Sequence, residues 1–271
     1  MKIPKYVVLE KKRGQTPLET ILAWKSRNQQ YSLVPASYAG RLDPMAEGKL
    51  LVLLGNECKR QQKYIGLDKE YEVEVVLDLA TDTGDALGIP EYQGRETHAA
   101  TSSIQHVLRA LTGAHTVPYP AFSSKTVHGK PLFVYALEGT LGSIDMPTHT
   151  ETMYRILLLE TCRLTRAELQ ERIDVGLVDV PRSDELSKEL GADFRQDIIR
   201  AGWRALFTTI PERDFTVLRI RVACASGSYM RTLAGRIGTQ LDSTGFALSI
   251  KRTKIGTFKT FGPFWFWAKK Y

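Results

Sequence analysis

Three residues of this chain stand where chemistry could be done. The first is Asp43, in SYAGRLDPMAEGKLLVLLG, held between Leu42 and Pro44 with Gly40 and Gly48 on either side. A residue before proline is pushed toward extended backbone, so Asp43 is expected on a stiff loop, with the glycines allowing close turns. Two roles are open to it. It can accept backbone hydrogen bonds in a turn, or it can be a carboxylate fixed at a cleft wall, able to attack an electrophilic carbon. The second residue is Tyr71, which opens YEVEVVLDL; it is either a core or edge aromatic or a ring that stacks on a planar base. The third is Arg231, after SGSYM at an expected strand-to-helix junction. A cation there opposes the helix dipole, a cost that pairing with a carboxylate or phosphate would offset. Arg41 is a second candidate for such pairing.

Other motifs point to less. Asp82 and Asp85 in TDTGD lack the spacing of a calcium loop and read as hydrogen-bonded turn structure. GQT near the N-terminus is not a glycine-rich lysine phosphate loop, and no Ser or Cys has the context of a nucleophile elbow. Cys58, Cys162 and Cys224 are odd in number and far apart, which argues for reduced thiols rather than disulfides or zinc. His106 has no metal-ligand neighbours, and no metal site is expected.

The elements that must position these groups follow from periodicity. KYVVLE reads as a strand, and Thr16 and Glu19 form a capping box with Pro17 at the first helical position. KLLVLLG is too short to assign between a buried strand and a helix. In YEVEVVLDL, Tyr71, Val73, Val75, Leu77 and Leu79 alternate with Glu72, Glu74 and Asp78, the pattern of an antiparallel strand with one packed and one wet face. SIQHVLRALTG places Ile104, Val107, Leu108 and Leu111 on one helical face. MYRILLLE and FTVLRIRVACASG read as strands, and GSYMRTLAGRIGTQL as a helix. Between them, from about Cys162 to Pro211, charges become dense, and TRAELQERI and SDELSKEL read as surface helices. The mixture predicts an α+β fold, a large mainly antiparallel sheet with flanking helices.

The 271 residues, 43% of them hydrophobic, suffice for a real core. A net charge of +7 permits a polyanionic partner without demanding one. MKIPKYVVLEKKRG lacks a secretory apolar segment, and no apolar run reaches membrane-spanning length. A soluble cytoplasmic protein is expected, with no membrane association.

Five ordered blocks resemble the TruB family of RNA pseudouridine synthases. They are the basic turn near Lys12, SYAGRLDPMAEGKL, the KEY of Lys69 to Tyr71 with TDTGDALG, PAFSSKTVHGKPL, and CASGSYMRTLAGRIG. The resemblance implies the pseudouridine synthase fold in a single catalytic domain over 1–271, with a helical insertion at about 162–211. It implies that a uridine in RNA, foremost in the T loop of tRNA, is detached from its sugar, turned and rejoined through carbon, without a cofactor. Asp43 would be the catalytic aspartate, Tyr71 the tyrosine that stacks on the target base and helps move its proton, and Arg231 the arginine that keeps Asp43 ionised. Flipping the base out of its stack costs a few kcal/mol, which RNA contacts must offset. Lys11, Lys12, Arg13, Arg27, Arg41, Lys125 and Lys130 are candidate contacts, or plain solvated surface. Where the family has His-Thr, this chain has Tyr38-Ala39, and Tyr38 could stack instead. The chain ends soon after KRTKIGTF, so the small C-terminal RNA-binding domain of many relatives is not expected. The insertion is expected beside the catalytic core, reaching RNA or docking a protein. Two other classes compete: an RNA-binding or RNA-chaperone protein without catalysis, and a ribonucleoprotein component.

Overall fold

A computed structural model describes residues 3–180, 195–261 and 264–268. Its strands are β1 (Tyr6–Lys11), β2 (Ala36–Ala39), β3 (Ala46–Leu54), β4 (Asp68–Leu77), β5 (Leu79–Thr81), β6 (Pro90–Tyr92), β7 (Gly113–Pro118), β8 (Thr126–Val127), β9 (Lys130–Pro131), β10 (Thr148–Thr165), β11 (Asp214–Cys224), β12 (Gly245–Phe261) and β13 (Phe264–Ala268). The α-helices are α1 (Pro17–Arg27), α2 (Gln61–Ile65), α3 (Thr101–Ala110), α4 (Leu132–Leu137), α5 (Arg166–Val178), α6 (Gln196–Thr209) and α7 (Met230–Gln240). The main sheet has the order β1-β3-β12-β4-β11-β10-β7, with β2 beside β3 and β13 beside β12. Every pairing in it is antiparallel except β3 with β12, where Ala46 faces Ile250. KLLVLLG is thus a strand, and the α+β expectation holds.

Alternation along the strands sorts the side chains onto two faces. Tyr71, Val73, Val75 and Leu77 of β4 join Leu218, Ile220 and Val222 of β11 under α3 and α7. Ile104, Val107, Leu108 and Leu111, the expected stripe, bury one side of α3 there, while His106 stays exposed. The capping box of Thr16 and Glu19 starts α1 as its sequence requires.

The opposite face corrects two expectations. Glu72 and Glu74 are only partly open to water: Glu72 accepts from Arg221 at 2.7 Å, and Glu74 from Ser249 at 2.6 Å and from Arg172 of α5. Asp78, just past β4, is buried and accepts from Ser243 at 2.8 Å and Arg213 at 2.6 Å. In the segment expected as an insertion at about 162–211, the described helices α5 and α6 pack into the core rather than beside it. Residues 162–165 still belong to β10, and α5 begins at Arg166 with its own capping box, Thr165 with Glu168. Leu169, Ile173 and Leu177 of α5 and Ile199, Trp203 and Phe207 of α6 pack on Val76, Val217, Phe246 and Leu248 of the sheet. They bury the apolar half of that face, which an excursion beside the core would have left wet. The expected SDELSKEL helix lies outside the described residues.

Candidate active site

The loop from Gly40 to Met45 is built to hold Asp43 still. Gly40 takes φ +86°, a left-handed conformation that favours glycine. The Ala46 amide donates to the Asp43 carbonyl at 3.0 Å, closing a turn around Pro44. Lys11, buried at the end of β1, donates to the carbonyls of Ala46 at 2.6 Å and Pro44 at 3.3 Å, and the Gly14 amide adds a bond to Pro44 at 2.9 Å. The Asp43 carbonyl closes the turn, which leaves its carboxylate to bond Arg231. Gly48 does not make a turn. It lies within β3, where a Cβ would stand 2.4 Å from the Arg252 carbonyl oxygen, so glycine lets β12 approach.

Arg231 meets that carboxylate. Its Nε donates to Asp43 Oδ2 at 2.9 Å and lies 3.6 Å from Asp85 Oδ2. Nη1 donates to the Thr83 carbonyl at 2.7 Å and Nη2 to that of Phe122 at 3.2 Å. The side chain is buried at the start of α7, where the dipole repels it and two carboxylates hold it. Burial lowers its pKa, and the Asp43 and Asp85 charges outweigh that and leave it raised. Asp85 is pushed up chiefly by burial and also by Asp43, with Arg231 opposing. The TDTGD turn thus carries a buried carboxylate behind the arginine, a part the sequence reading left as turn chemistry.

These groups open on a cleft of about 690 Å³, within the usual range for ligand sites. Asp43, Tyr71 and Arg231 all line it, with Arg41, Lys69, Tyr229, Ile250 and Arg252. Tyr71 is buried, and burial raises its pKa against the pull of Arg252. Lys69, two residues earlier on the same face of β4, donates to the Ile65 carbonyl at 2.7 Å and to Ser226 Oγ at 3.2 Å. Its pKa is pushed down to about 8, first by burial and then by Arg252. Arg252, cross-strand partner of Tyr71, is 1% exposed. It donates to the carbonyls of Lys49 at 2.7 Å, Gly40 at 3.1 Å and Arg41 at 3.4 Å. One buried cation thus ties the Asp43 loop to the strand of Tyr71.

The expected RNA contacts divide. Arg41 lies exposed on the cleft wall. Tyr38 does not line the cleft; it is half-buried on β2 against the cluster of Ile21, Leu50 and Val52. Lys11 is a structural cation under the loop. Lys12, Arg27 and Lys125 are exposed, Lys125 with its Nζ 5.3 Å from the Tyr119 ring centre. Arg13 pairs with Asp179 at 3.1 Å, and Lys130 pairs with Glu138 and sits 4.4 Å from the Tyr135 ring centre. Among the described residues, no group of three or more His, Cys, Asp or Glu is placed to hold a metal, and no helix is long and apolar enough to cross a membrane.

Lys69, Asp85 and Arg252 were missed, although strand parity could have found two of them. Lys69 stands at i−2 from Tyr71, and Arg252 at i+2 from Ile250 in an alternating run.

The chain is 29% identical over 252 residues to tRNA pseudouridine synthase B of Aromatoleum aromaticum, covering 93% of this chain and 63% of that protein. It is 27% identical over 254 residues to the protein of the same name from Geobacillus thermodenitrificans, covering 93% and 67%. The chain therefore spans about two thirds of the length of these relatives. Two solved structures share the fold. A Cbf5-Nop10-Gar1 complex matches with TM-score 0.53 at 19% identity, over 93% of this chain and 48% of that one. An H/ACA RNP bound to a substrate RNA containing 2'-deoxyuridine matches with TM-score 0.50 at 18% identity, over 92% and 47%. Residues 29–176 match the TruB family pseudouridylate synthase (N terminal domain). That span holds Asp43, Lys69, Tyr71 and Asp85 on their loop, strand and turn, and the chain belongs to the TruB family.

Proposed function

We propose that this protein converts a specific uridine of tRNA, in the T arm, to pseudouridine. The observation that carries the reading is the Asp43 carboxylate, fixed by Arg231 at 2.9 Å in a cleft that Tyr71 also lines. Binding alone needs no such pair.

The uridine would enter the cleft flipped from its stack. Asp43 would act on the sugar, by attack at its anomeric carbon or by starting elimination there, and the N-glycosidic bond breaks. Arg231, held by two backbone carbonyls as well as two carboxylates, keeps Asp43 aimed without having to reorganise. The Tyr71 ring gives the detached base a surface on which to turn, and its hydroxyl helps move the C5 proton after carbon rejoins the sugar. The isomerisation is redox-neutral and keeps every atom of the substrate except the exchanged proton, so it calls for no cofactor. Arg41 at the cleft wall, with Lys12 and Lys125 outside it, is placed to meet phosphates. Such a reaction sets the protein in the cytoplasm, where tRNA is processed.

The test is release of tritium from C5-labelled uridine in an unmodified tRNA transcript. The wild-type protein should release one tritium per target site and the Asp43→Asn protein none. Tight binding of the transcript by the wild type with no release would favour an RNA-binding or chaperone role instead.

A further inference from the structure

Outside the cleft, β12 and β13 form an antiparallel ribbon. β13 pairs with β12 from Thr257–Ala268 to Phe261–Phe264, and its other edge has no strand partner among the described residues. Phe264, Trp265 and Phe266 are 72%, 40% and 51% exposed. Alternation puts Phe264 and Phe266 together on one face of this ribbon and Trp265 on the other, so an open edge exposes aromatic surface that proteins usually keep small unless it binds something.

We propose that this ribbon is a second RNA-contact surface, one that stacks unpaired bases. Three features select RNA over an apolar protein partner. First, the aromatics are interleaved with cations: the Arg155 guanidinium sits 4.3 Å from the Trp265 ring centre, and Lys259 stands opposite Phe266 on the outward face. Second, the neighbouring acids are consumed internally. Asp68 accepts from the Tyr154 hydroxyl at 2.9 Å and the Phe258 amide at 2.8 Å, and buried Glu70 accepts from Lys254, Thr253 and Trp267 Nε1. Arg155 and Lys259 pair with no carboxylate among the described residues; exposed Lys259 makes the face of Phe264 and Phe266 positive, while Arg155, with Nη1 buried, lies against Trp265 on the other face. Third, the ribbon is held firm by stacked rings on the face opposite Phe264 and Phe266. Tyr154 and Phe258 stack at 5.3 Å, and Trp265 and Trp267 lie 5.9 and 5.3 Å from Phe258. Every base has a π-face that such rings accept without sequence preference.

The ribbon continues into the cleft wall, because β12 carries Ile250 and Arg252 to the cleft and pairs with β4. Trp267 bonds Glu70, which lies between Lys69 and Tyr71 on the strand that walls the cleft. An RNA whose target base enters the cleft can therefore engage the ribbon with a neighbouring unpaired segment. The inference rests on the RNA half of the proposed function and extends it to a new surface.

The test uses the full chain with Phe264→Ser and Phe266→Ser combined, and Lys259→Glu separately. Affinity is measured for an unmodified tRNA transcript across a salt series, with tritium release in single turnover and sedimentation for oligomeric state. The double variant should bind tRNA about tenfold more weakly or worse, as loss of base stacking predicts. Lys259→Glu should reduce the salt slope by about one. The rate at saturating RNA should not change, and RNA should quench the wild-type tryptophan fluorescence. Unchanged affinity in both variants overturns the proposal, as does a double variant altered only in oligomeric state, which would make the ribbon a contact between copies. Should the double variant fail to fold, Lys259→Glu decides, because that side chain is exposed. A wild type that releases no tritium while the variants still lose tRNA affinity would sink the catalytic reading and leave the ribbon standing.

Discussion

Arg231 reaches Asp43 across 188 positions of sequence and closes on it at 2.9 Å. The contact joins a loop before β3 to the first turn of α7, and neither end can be moved without disturbing the other. Asp43→Asn keeps the size and removes the charge. Single-turnover formation of pseudouridine should fall below detection, while tRNA affinity stays within about tenfold because phosphate contacts dominate binding. Turnover near wild type would remove Asp43 from the chemistry.

Tyr71→Phe separates stacking from proton movement. The ring stays, with stacking worth roughly 1–3 kcal/mol per base, and the hydroxyl goes. Binding should hold and the single-turnover rate on a saturated complex should drop sharply. A normal rate would leave stacking as its sole role.

Arg252→Met should destabilise the fold and slow the reaction together. It leaves the carbonyls of Lys49, Gly40 and Arg41 without their donor, at roughly 1–3 kcal/mol for each one left buried and unpaired. Arg252→Lys restores a cation with fewer donors and should recover part of both losses. Urea unfolding read beside turnover checks this; a Met variant with wild-type stability would show that water replaces the guanidinium.

Two buried lysines predict a pH dependence of stability. Burial pushes Lys69 and Lys11 down to about 8, against 10.5 in the unfolded chain. Between those values the unfolded chain holds more protons, so these residues make the fold more stable as pH rises from about 8 toward 10.5. Below 8 the ammonium is buried charged and the penalty is fully present. A gap of this size corresponds to about 3 kcal/mol per lysine. Urea unfolding from pH 7 to 10.5 should show a shallower rise in Lys69→Met than in wild type, and equal slopes would mean that Lys69 is hydrated.

Trp203 tests the second core. It is 1% exposed, packs against Phe207 and Phe246, and donates to the Ala86 carbonyl at 3.1 Å. Trp203→Ala should cost about 3–5 kcal/mol and lower the thermal midpoint. If α5 and α6 merely rested beside the sheet, the loss would be far smaller.

The strands β1, β4, β10 and β11 and the helices α1, α3 and α7 were legible from their apolar periods, and α1 also from its capping box, whereas the short apolar run of β3 fitted strand and helix alike. The role of α5 and α6 was not, since dense surface charge hid Leu169, Ile173 and Trp203 on one side of each helix. At the site, Asp43 and Arg231 stood out because proline and a helix start each constrain a charged residue in an unusual way. Lys69, Asp85 and Arg252 did not, because their meaning comes from burial. The surface cations were least legible of all. Arg13 finds Asp179 across 166 positions, and nothing near Arg13 in the chain announces it.

The parallel pairing of β3 with β12 also governs timing. On the ribosome the Asp43 loop emerges early, yet Arg231 follows it by 188 positions, and Arg252 follows Arg41 by 211. At roughly 5–20 residues per second of synthesis, the carboxylate waits roughly 10–40 s for its guanidinium partner. Contacts of such long range also close slowly in refolding. A nascent chain therefore carries Asp43 with neither Arg231 to aim it nor Arg252 to anchor its loop until both of those residues have been made.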